Sequence, residues 1–216
     1  MPKIVKAGII DIIGLEDPNG VLRRIEHCGR VAYMTWDKEN ELSSEKFVRM
    51  LIRLGHESVL EHSSVTVLLQ CDRSTAQQLT RHRIASFTMQ SQRYCNYSAD
   101  RFGGEVTFVD PEMRCDDVAK LESANLMWRS QVEASERAYF DLLGLGIAPE
   151  DARSVLPNST ACVLAITANL REWRHIFKLR TECHAQHNIR DLMASVLDAM
   201  FKLVPCVFSD IIASTE

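Results

Sequence analysis

Apolar residues recur along the chain with two periods, and each change of period marks an element. Residues 3–10 form a short apolar run that predicts a strand, closed by a turn at Asp17-Pro18-Asn19-Gly20. Val21, Leu22, Ile25, Cys28 and Ala32 then fall at helical spacing, so a helix runs from about Val21. Ser43 or Ser44 is placed to cap a second helix, whose Phe47, Met50, Leu51 and Leu54 follow the i, i+3, i+4, i+7 pattern. Gly55 is placed to stop it, and the residue after the stop is His56. From Ser64 to Cys71 the pattern alternates, with Val65, Val67, Leu69 and Cys71 on one face, which predicts a strand half covered by core. Ser74-Thr75-Ala76-Gln77 reads as a capping box opening a helix that carries Gln78 and Arg81 on one side.

A further strand is expected from Glu105 to Val109, followed by a long helix from about Glu112 to Leu143 that Gly144 and Gly146 end. Pro149 starts a short helix, Pro157 ends it, and Thr160 to Ala168 forms a strand-like apolar run. Asn169-Leu170-Arg171-Glu172 places a capping residue ahead of an acidic third position, and two more helices lead to Pro205. Long helices with few strands that do not alternate as βαβ units predict an α+β fold. No repeat, low-complexity stretch or Gly/Ser linker interrupts residues 1–216, so a single domain is expected.

Composition narrows the class. With 216 residues, 46% hydrophobic and 25% charged, the chain is long and apolar enough to bury a core, which excludes a disordered tail. Its net charge of -4 gives no global attraction to nucleic acid or to an anionic membrane, though a local anion site remains open. The seven cysteines, Cys28, Cys71, Cys95, Cys115, Cys162, Cys183 and Cys206, include no C-x-x-C pair and make a poor disulfide or zinc framework. They read as reduced thiols. The apolar run at the N-terminus is too short for a signal peptide and no window approaches a membrane span, so a soluble cytoplasmic protein is expected.

Charge becomes informative when it is located. Between Arg73 and Arg93 stand four arginines and no acid, including Arg81-His82-Arg83 and then Ser91-Gln92-Arg93-Tyr94. Guanidinium forks and a serine hydroxyl suit a phosphate; a solvated basic face paired with a neighbouring acidic one is the plain alternative. His56-Glu57-Ser58-Val59-Leu60-Glu61-His62 is no zinc-protease helix. Its histidines are six apart, about 240° around a helix, where that motif needs four. In Leu170–Arg180, Arg171, Arg174, His175 and Lys178 form a basic stripe, while Arg180 lies four residues from Ile176 on the apolar side. An arginine aimed at the core needs an anionic partner, either a carboxylate or a ligand. Arg153, between Ala152 and Val155-Leu156-Pro157, poses the same question.

Together these pieces resemble the flavin-dependent thymidylate synthases, whose Arg-His-Arg, seven residues and a serine are matched by Arg81-His82-Arg83, Ile84 to Gln90 and Ser91. Gly55-His56-Glu57-Ser58, Gln78, Ala152-Arg153 with Leu156-Pro157, Asn169-Leu170-Arg171, Leu179-Arg180 and His184-Ala185-Gln186 continue the match in order, from about residue 20 to 205. The resemblance implies a single-domain fold of long helices on a small mixed or antiparallel sheet. It also implies reductive methylation of dUMP to dTMP, with methylene-tetrahydrofolate as carbon donor and FAD recharged by NADPH as hydride source. Homotetramers with active sites at subunit interfaces are the family's assembly. Carried over, Gln78, Arg81, the loop Met89, Gln90, Ser91, Gln92 and Arg93, and Arg153 would bind dUMP, and Arg180 would hold and polarise its pyrimidine as the catalytic residue. Ser58, Arg81, His82, Arg83, Asn169, Leu170, Arg171 and His175 would hold FAD, with His56 and His184 lining the flavin and folate region. No cysteine and no metal has a role in this scheme.

Two positions depart from the family pattern: Met89 stands where a polar Glu or Gln is usual, and Asn188 where an acid is usual. A nucleotide- or RNA-binding module using the same basic segment, with Phe87 and Tyr94 for stacking, and a flavoprotein reductase of other substrate are the competing readings. Residues 110–141 hold eight acids against four bases, which equals the net charge of the whole chain. The overall acidity can thus be assigned to one long helix and its approach.

Overall fold

The computed structural model describes residues 2–215. In chain order the elements are β1 (Lys3–Val5), β2 (Gly8–Ile13), α1 (Pro18–Arg30), α2 (Ser43–Arg53), β3 (Ser64–Asp72), α3 (Arg73–Leu79) and β4 (Ser86–Met89). Then follow β5 (Thr107–Val109), α4 (Val118–Gly144), α5 (Pro149–Ala152), β6 (Ala161–Asn169), α6 (Leu170–Arg180), α7 (His187–Leu203) and α8 (Pro205–Thr215). A four-stranded sheet has the order β2-β3-β6-β4, and β1 pairs in parallel with β5, Lys3 opposite Thr107. The class is α+β, as the pattern predicts. None of the described helices is long and apolar enough to cross a membrane.

The chain forms two compact units built from interleaved segments. One comprises the residues up to Gly8, Gln70–Leu79 and Thr88–Leu164; the other comprises Ile9–Leu69, Thr80–Phe87 and the residues from Ala165 onward. In the first unit, Tyr97, Val106, Phe108, Val132, Tyr139 and Ala152 form the core, with the Tyr97 and Tyr139 rings edge to face at 5.6 Å. The long helix starts later than its apolar pattern suggests, because the Asp117 carboxylate accepts from the Lys120 amide at 3.2 Å and caps α4 there.

In the second unit, α1 and α2 approach closely at Gly29, where a Cβ would stand 2.8 Å from the Phe47 ring. Helix α6 buries Trp173 and Phe177, stacked at 5.5 Å, and Phe177 meets Phe208 of α8 edge-on. The Trp173 indole N–H donates to the carbonyl of Val65 at 3.0 Å, which ties α6 to β3.

Several boundaries move for local reasons. Ser43 lies inside α2 and its hydroxyl donates to Glu26 and to the Asn40 carbonyl, while Leu42 occupies the cap position without a side-chain bond. The cap of α3 is Asp72 rather than Ser74, its carboxylate accepting from the Thr75 amide at 2.9 Å. Helix α3 closes at Leu79, so Arg81 lies in the turn beyond it and shares no helical face with Gln78. Strand β4 has no counterpart among the expected elements. Gly55 does stop α2, with φ at +75°, a conformation that costs glycine little.

Candidate functional site

In the second unit three segments surround a cavity of about 790 Å³, within the usual size range of small-molecule sites. The turn after α3 supplies Arg81, His82, Arg83 and Ile84; the 3-10 helix Glu57–His62 supplies Glu57 and Glu61; α6 supplies Arg171, Glu172, His175, Lys178 and Arg180. Asn169 stands at the hinge between β6 and α6, and its side-chain oxygen accepts from the Glu172 amide at 2.8 Å. That cap fixes where the helix begins, and hence which α6 side chains face the cavity.

The lining carries five cations, Arg81, Arg83, Arg171, Lys178 and Arg180, against three carboxylates. Glu61 is taken by Arg171 at 2.6 Å. Glu57 is taken by Arg174 at 3.0 Å and lies 3.9 Å from Lys178. Arg81 and Arg83 are exposed and make no ion pair with any described residue. The paired-basic-face alternative therefore does not describe Arg81 and Arg83; they are an unneutralised excess at the mouth of the cavity.

His82 is buried. Its Nε2 lies 3.0 Å from the Arg180 Nε, and its Nδ1 lies 3.7 Å from the Glu172 carboxylate. Burial, then the charges of Arg180 and His175, pushes its pKa down to about 4, so the ring is neutral near pH 7. Burial alone lowers the Arg180 pKa and raises that of Glu172, which the His175 charge partly offsets. Donor atoms of His82, Glu172 and His175 lie within 4.8 Å of one another, a possible metal set by residue type. A dication there would face the Arg180 guanidinium, which already donates to His82. His56 and His62 do not join this group.

The inward arginine of α6 is Arg174, not Arg180. Arg174 is 1% exposed, so the basic stripe expected on the helix is broken there. It donates to both Asp210 carboxylate oxygens, at 2.7 and 2.6 Å, to Glu57 and to the Val207 carbonyl, joining α8 to the 3-10 helix. Arg180 is half-buried on the cavity wall. The two positions are six residues apart, about 120° around the helix, so drift in the period does not account for the difference; the carboxylates of Asp210 and Glu57 draw Arg174 inward.

Of the other expected flavin residues, His82, Arg83, Asn169, Arg171 and His175 line the cavity with Arg81. His56 and Ser58 are exposed beside Glu57 and are not on its wall. The Leu170 side chain is fully buried and its amide donates to the Ser63 carbonyl, so it offers no side-chain contact to a ligand. His184 lines a separate cavity of about 760 Å³ in the same unit, with Cys183 and Arg190, and Lys178 borders both. Glu57, Glu61 and Glu172 were not among the expected site residues. Glu57 and Glu172 each sit beside a residue that was, and Glu61 does not, but a carboxylate is unexpected in an anion site.

The expected nucleotide residues Gln78, Met89 to Arg93 and Arg153 lie in the first unit. Gln90 is fixed to β6 twice: its amide donates to the Val163 carbonyl at 2.8 Å and its side chain accepts from the Val163 amide at 3.2 Å. The Ser91 hydroxyl accepts from the Arg93 amide at 3.2 Å. Gln92 is 7% exposed, and its buried side chain interacts with the Tyr97 hydroxyl. Arg93 and Arg153 converge on Glu150, the first through its carboxylate and the second through its carbonyl, both at 3.0 Å. Met89 is half-buried and brings no polar atom. Cys71 and Cys162 are buried in the same unit and hydrogen-bonded to each other; that bond, then burial, raises the Cys71 pKa, while the same bond lowers that of Cys162.

Comparison with known proteins joins these features. The family described as thymidylate synthase complementing protein matches residues 15–206. The flavin-dependent thymidylate synthase of Pyrococcus furiosus is 35% identical over 179 residues, covering 82% of this chain and 71% of the relative. That of Geobacter sulfurreducens is 37% identical over 165 residues, covering 76% and 68%. Among solved structures, the UMP/dUMP methylase PolB from Streptomyces cacaoi bound with 5-Br UMP superposes with a TM-score of 0.77, at 25% identity and covering 97% of this chain and 96% of that one. Its complex with 5-Br dUMP gives 0.75 at 26% identity, covering 98% and 97%. A cavity rimmed by the Arg-His-Arg turn, on a fold shared with a pyrimidine-nucleotide methylase, places this chain in the family of flavin-dependent thymidylate synthases.

Proposed function

We propose that the protein methylates dUMP to dTMP, taking the carbon from methylene-tetrahydrofolate and using FAD that NADPH reduces. The observation that carries the reading is the cation excess of the second unit's cavity, where Arg81 and Arg83 have no carboxylate partner among the described residues. Two unpaired guanidinia beside a cavity of this size fit the pyrophosphate of a dinucleotide. Arg81, His82, Arg83, Asn169, Arg171 and His175 would hold FAD, and the bound flavin would supply the hydride. Arg171 is free to turn to it, because its pair with Glu61 is exposed and such pairs contribute about 0–1 kcal/mol.

The nucleotide would be bound by Gln78, Arg81, the segment Met89 to Arg93, Arg153 and Arg180. Gln90 fastens that segment to β6, so the Ser91 hydroxyl is presented from a fixed backbone. Arg180 would stabilise negative charge developing on the pyrimidine carbonyl, and its bond to neutral His82 costs it no charge. Residues 1–216 act as one domain in this reading, since each unit is assembled from segments lying on both sides of the other's in sequence. A cytoplasmic homotetramer with folate entering near His56 and His184 completes the proposal.

A yellow preparation whose NADPH oxidation is accompanied by thymidylate only when dUMP and methylene-tetrahydrofolate are present supports it. NADPH oxidation without thymidylate would leave a reductase. A colourless protein that takes up no FAD and binds single-stranded RNA would leave the nucleic-acid-binding reading instead.

A further inference from the structure

Glu172 is an acid in a cavity suited to anions. Glu57 and Glu61 are each neutralised by an arginine, but the Glu172 carboxylate accepts no hydrogen bond from any described residue. It is 7% exposed, and burial raises its pKa. A glutamate at the third position of a helix commonly reaches back to the capping residue's amide. Here the cap is made by Asn169 onto the Glu172 amide, while the Glu172 side chain turns instead toward His82. Burying a carboxylate this way costs free energy, so the fold offsets that cost elsewhere.

His82 shows what the carboxylate does. Arg180 has only a hydrogen to offer, so the His82 Nε2 that lies 3.0 Å from its Nε has to be a bare acceptor. A neutral imidazole with a bare Nε2 carries its proton on Nδ1, the atom facing Glu172 at 3.7 Å. That distance is long for a direct bond, so the carboxylate acts through its field on the Nδ1–H dipole. The other charged or titratable groups around the ring are His175 and Arg180; Arg180 occupies Nε2 and so favours the same tautomer, while Glu172 faces the Nδ1 side.

We propose that Glu172 is a positioning residue: it holds the His82 proton on Nδ1, which keeps Nε2 as the acceptor that orients Arg180. The functional consequence, that Arg180 is thereby aimed at the pyrimidine, rests on the function proposed above. The tautomer itself does not.

Magic-angle-spinning nitrogen-15 NMR of histidine-labelled protein, without flavin or nucleotide, reads the tautomer directly. In the wild type, the histidine still neutral at pH 5 is expected to carry its proton on Nδ1. In Glu172→Gln that signal is expected to become a mixture of tautomers, because an amide can donate as well as accept. A wild-type Nε2–H form overturns the proposal, as does an unchanged tautomer in Glu172→Gln. Should that variant fail to fold, the wild-type spectrum decides alone. On the flavin-loaded enzyme, Glu172→Gln is expected to lose turnover by about 10- to 100-fold, the range typical of partners that orient a functional imidazole. Flavin content should stay unchanged, kcat should fall by more than KM for dUMP rises, and Glu172→Asp should recover part of the loss. Equal losses of flavin and thermal stability would mean a merely structural role and overturn the proposal. A wild type that forms no thymidylate sinks the functional reading and leaves the NMR result standing.

Discussion

At the scale of single residues, the two arginines of α6 divide two tasks. Arg174 is sealed in the interior with its charge met by Glu57 and the half-exposed Asp210, so removing either partner leaves a buried guanidinium short of a carboxylate. Arg180 stands on the cavity wall, where its Nε donates to the neutral His82 ring. Arg180→Ala should therefore keep its flavin and lose thymidylate formation; undiminished turnover in a steady-state assay would contradict the role. Ser91 is held by the backbone around it and buries little, so Ser91→Ala should raise KM for dUMP while leaving the flavin absorbance intact. His82 gives a pH signature. Its imidazole takes a proton near pH 6.5 when unfolded and near 4 when folded, so between these values the unfolded state binds the extra proton. Stability is then full above about pH 6.5 and falls toward pH 4, by up to about 3 kcal/mol. Melting temperatures measured across that window should fall more steeply in the wild type than in a His82→Gln variant.

At the scale of elements, the site depends on how α6 begins. Asn169 ends β6 and caps α6, so one side chain sets the phase with which Arg171, His175 and Arg180 meet the cavity. Asn169→Ala should cost about 1 kcal/mol in urea denaturation and weaken flavin retention in gel filtration, whereas a loss of stability alone would reduce Asn169 to a cap. This cap was legible in the sequence because a capping residue stood directly before a helical pattern with an acid at the third position. So was the stop at Gly55, where the backbone takes a positive φ. The start of α3 was not: Asp72 ends the preceding strand and its carboxylate outcompetes the serine two residues on. Strand β4 was illegible because Ser86-Phe87-Thr88-Met89 carries its information in pairing with β6, which no local pattern records. The exchange of Arg174 for Arg180 has the same origin, since the partner that draws Arg174 inward lies on α8, far along the chain.

At the scale of the whole molecule, charge is separated rather than balanced. The acids of residues 110–141 account for a sum equal to the net charge of -4, while the segment from Arg73 to Arg93 holds four arginines and no acid. The mean composition argues against a polyanionic partner, and the local arrangement argues for small phosphorylated ones. Each unit collects part of the expected site: the second holds the Arg-His-Arg turn with α6, the first holds Ser91, Arg93 and Arg153. The family resemblance supplied that inventory residue by residue; the pairing of each arginine was visible only once the chain was folded. The most direct test of the account is transfer of isotope from carbon-labelled methylene-tetrahydrofolate into the pyrimidine, followed by mass spectrometry with flavin-loaded protein, NADPH and dUMP. The account predicts labelled dTMP that depends on both FAD and dUMP; unlabelled dUMP recovered from a fully reduced, nucleotide-saturated enzyme would contradict it.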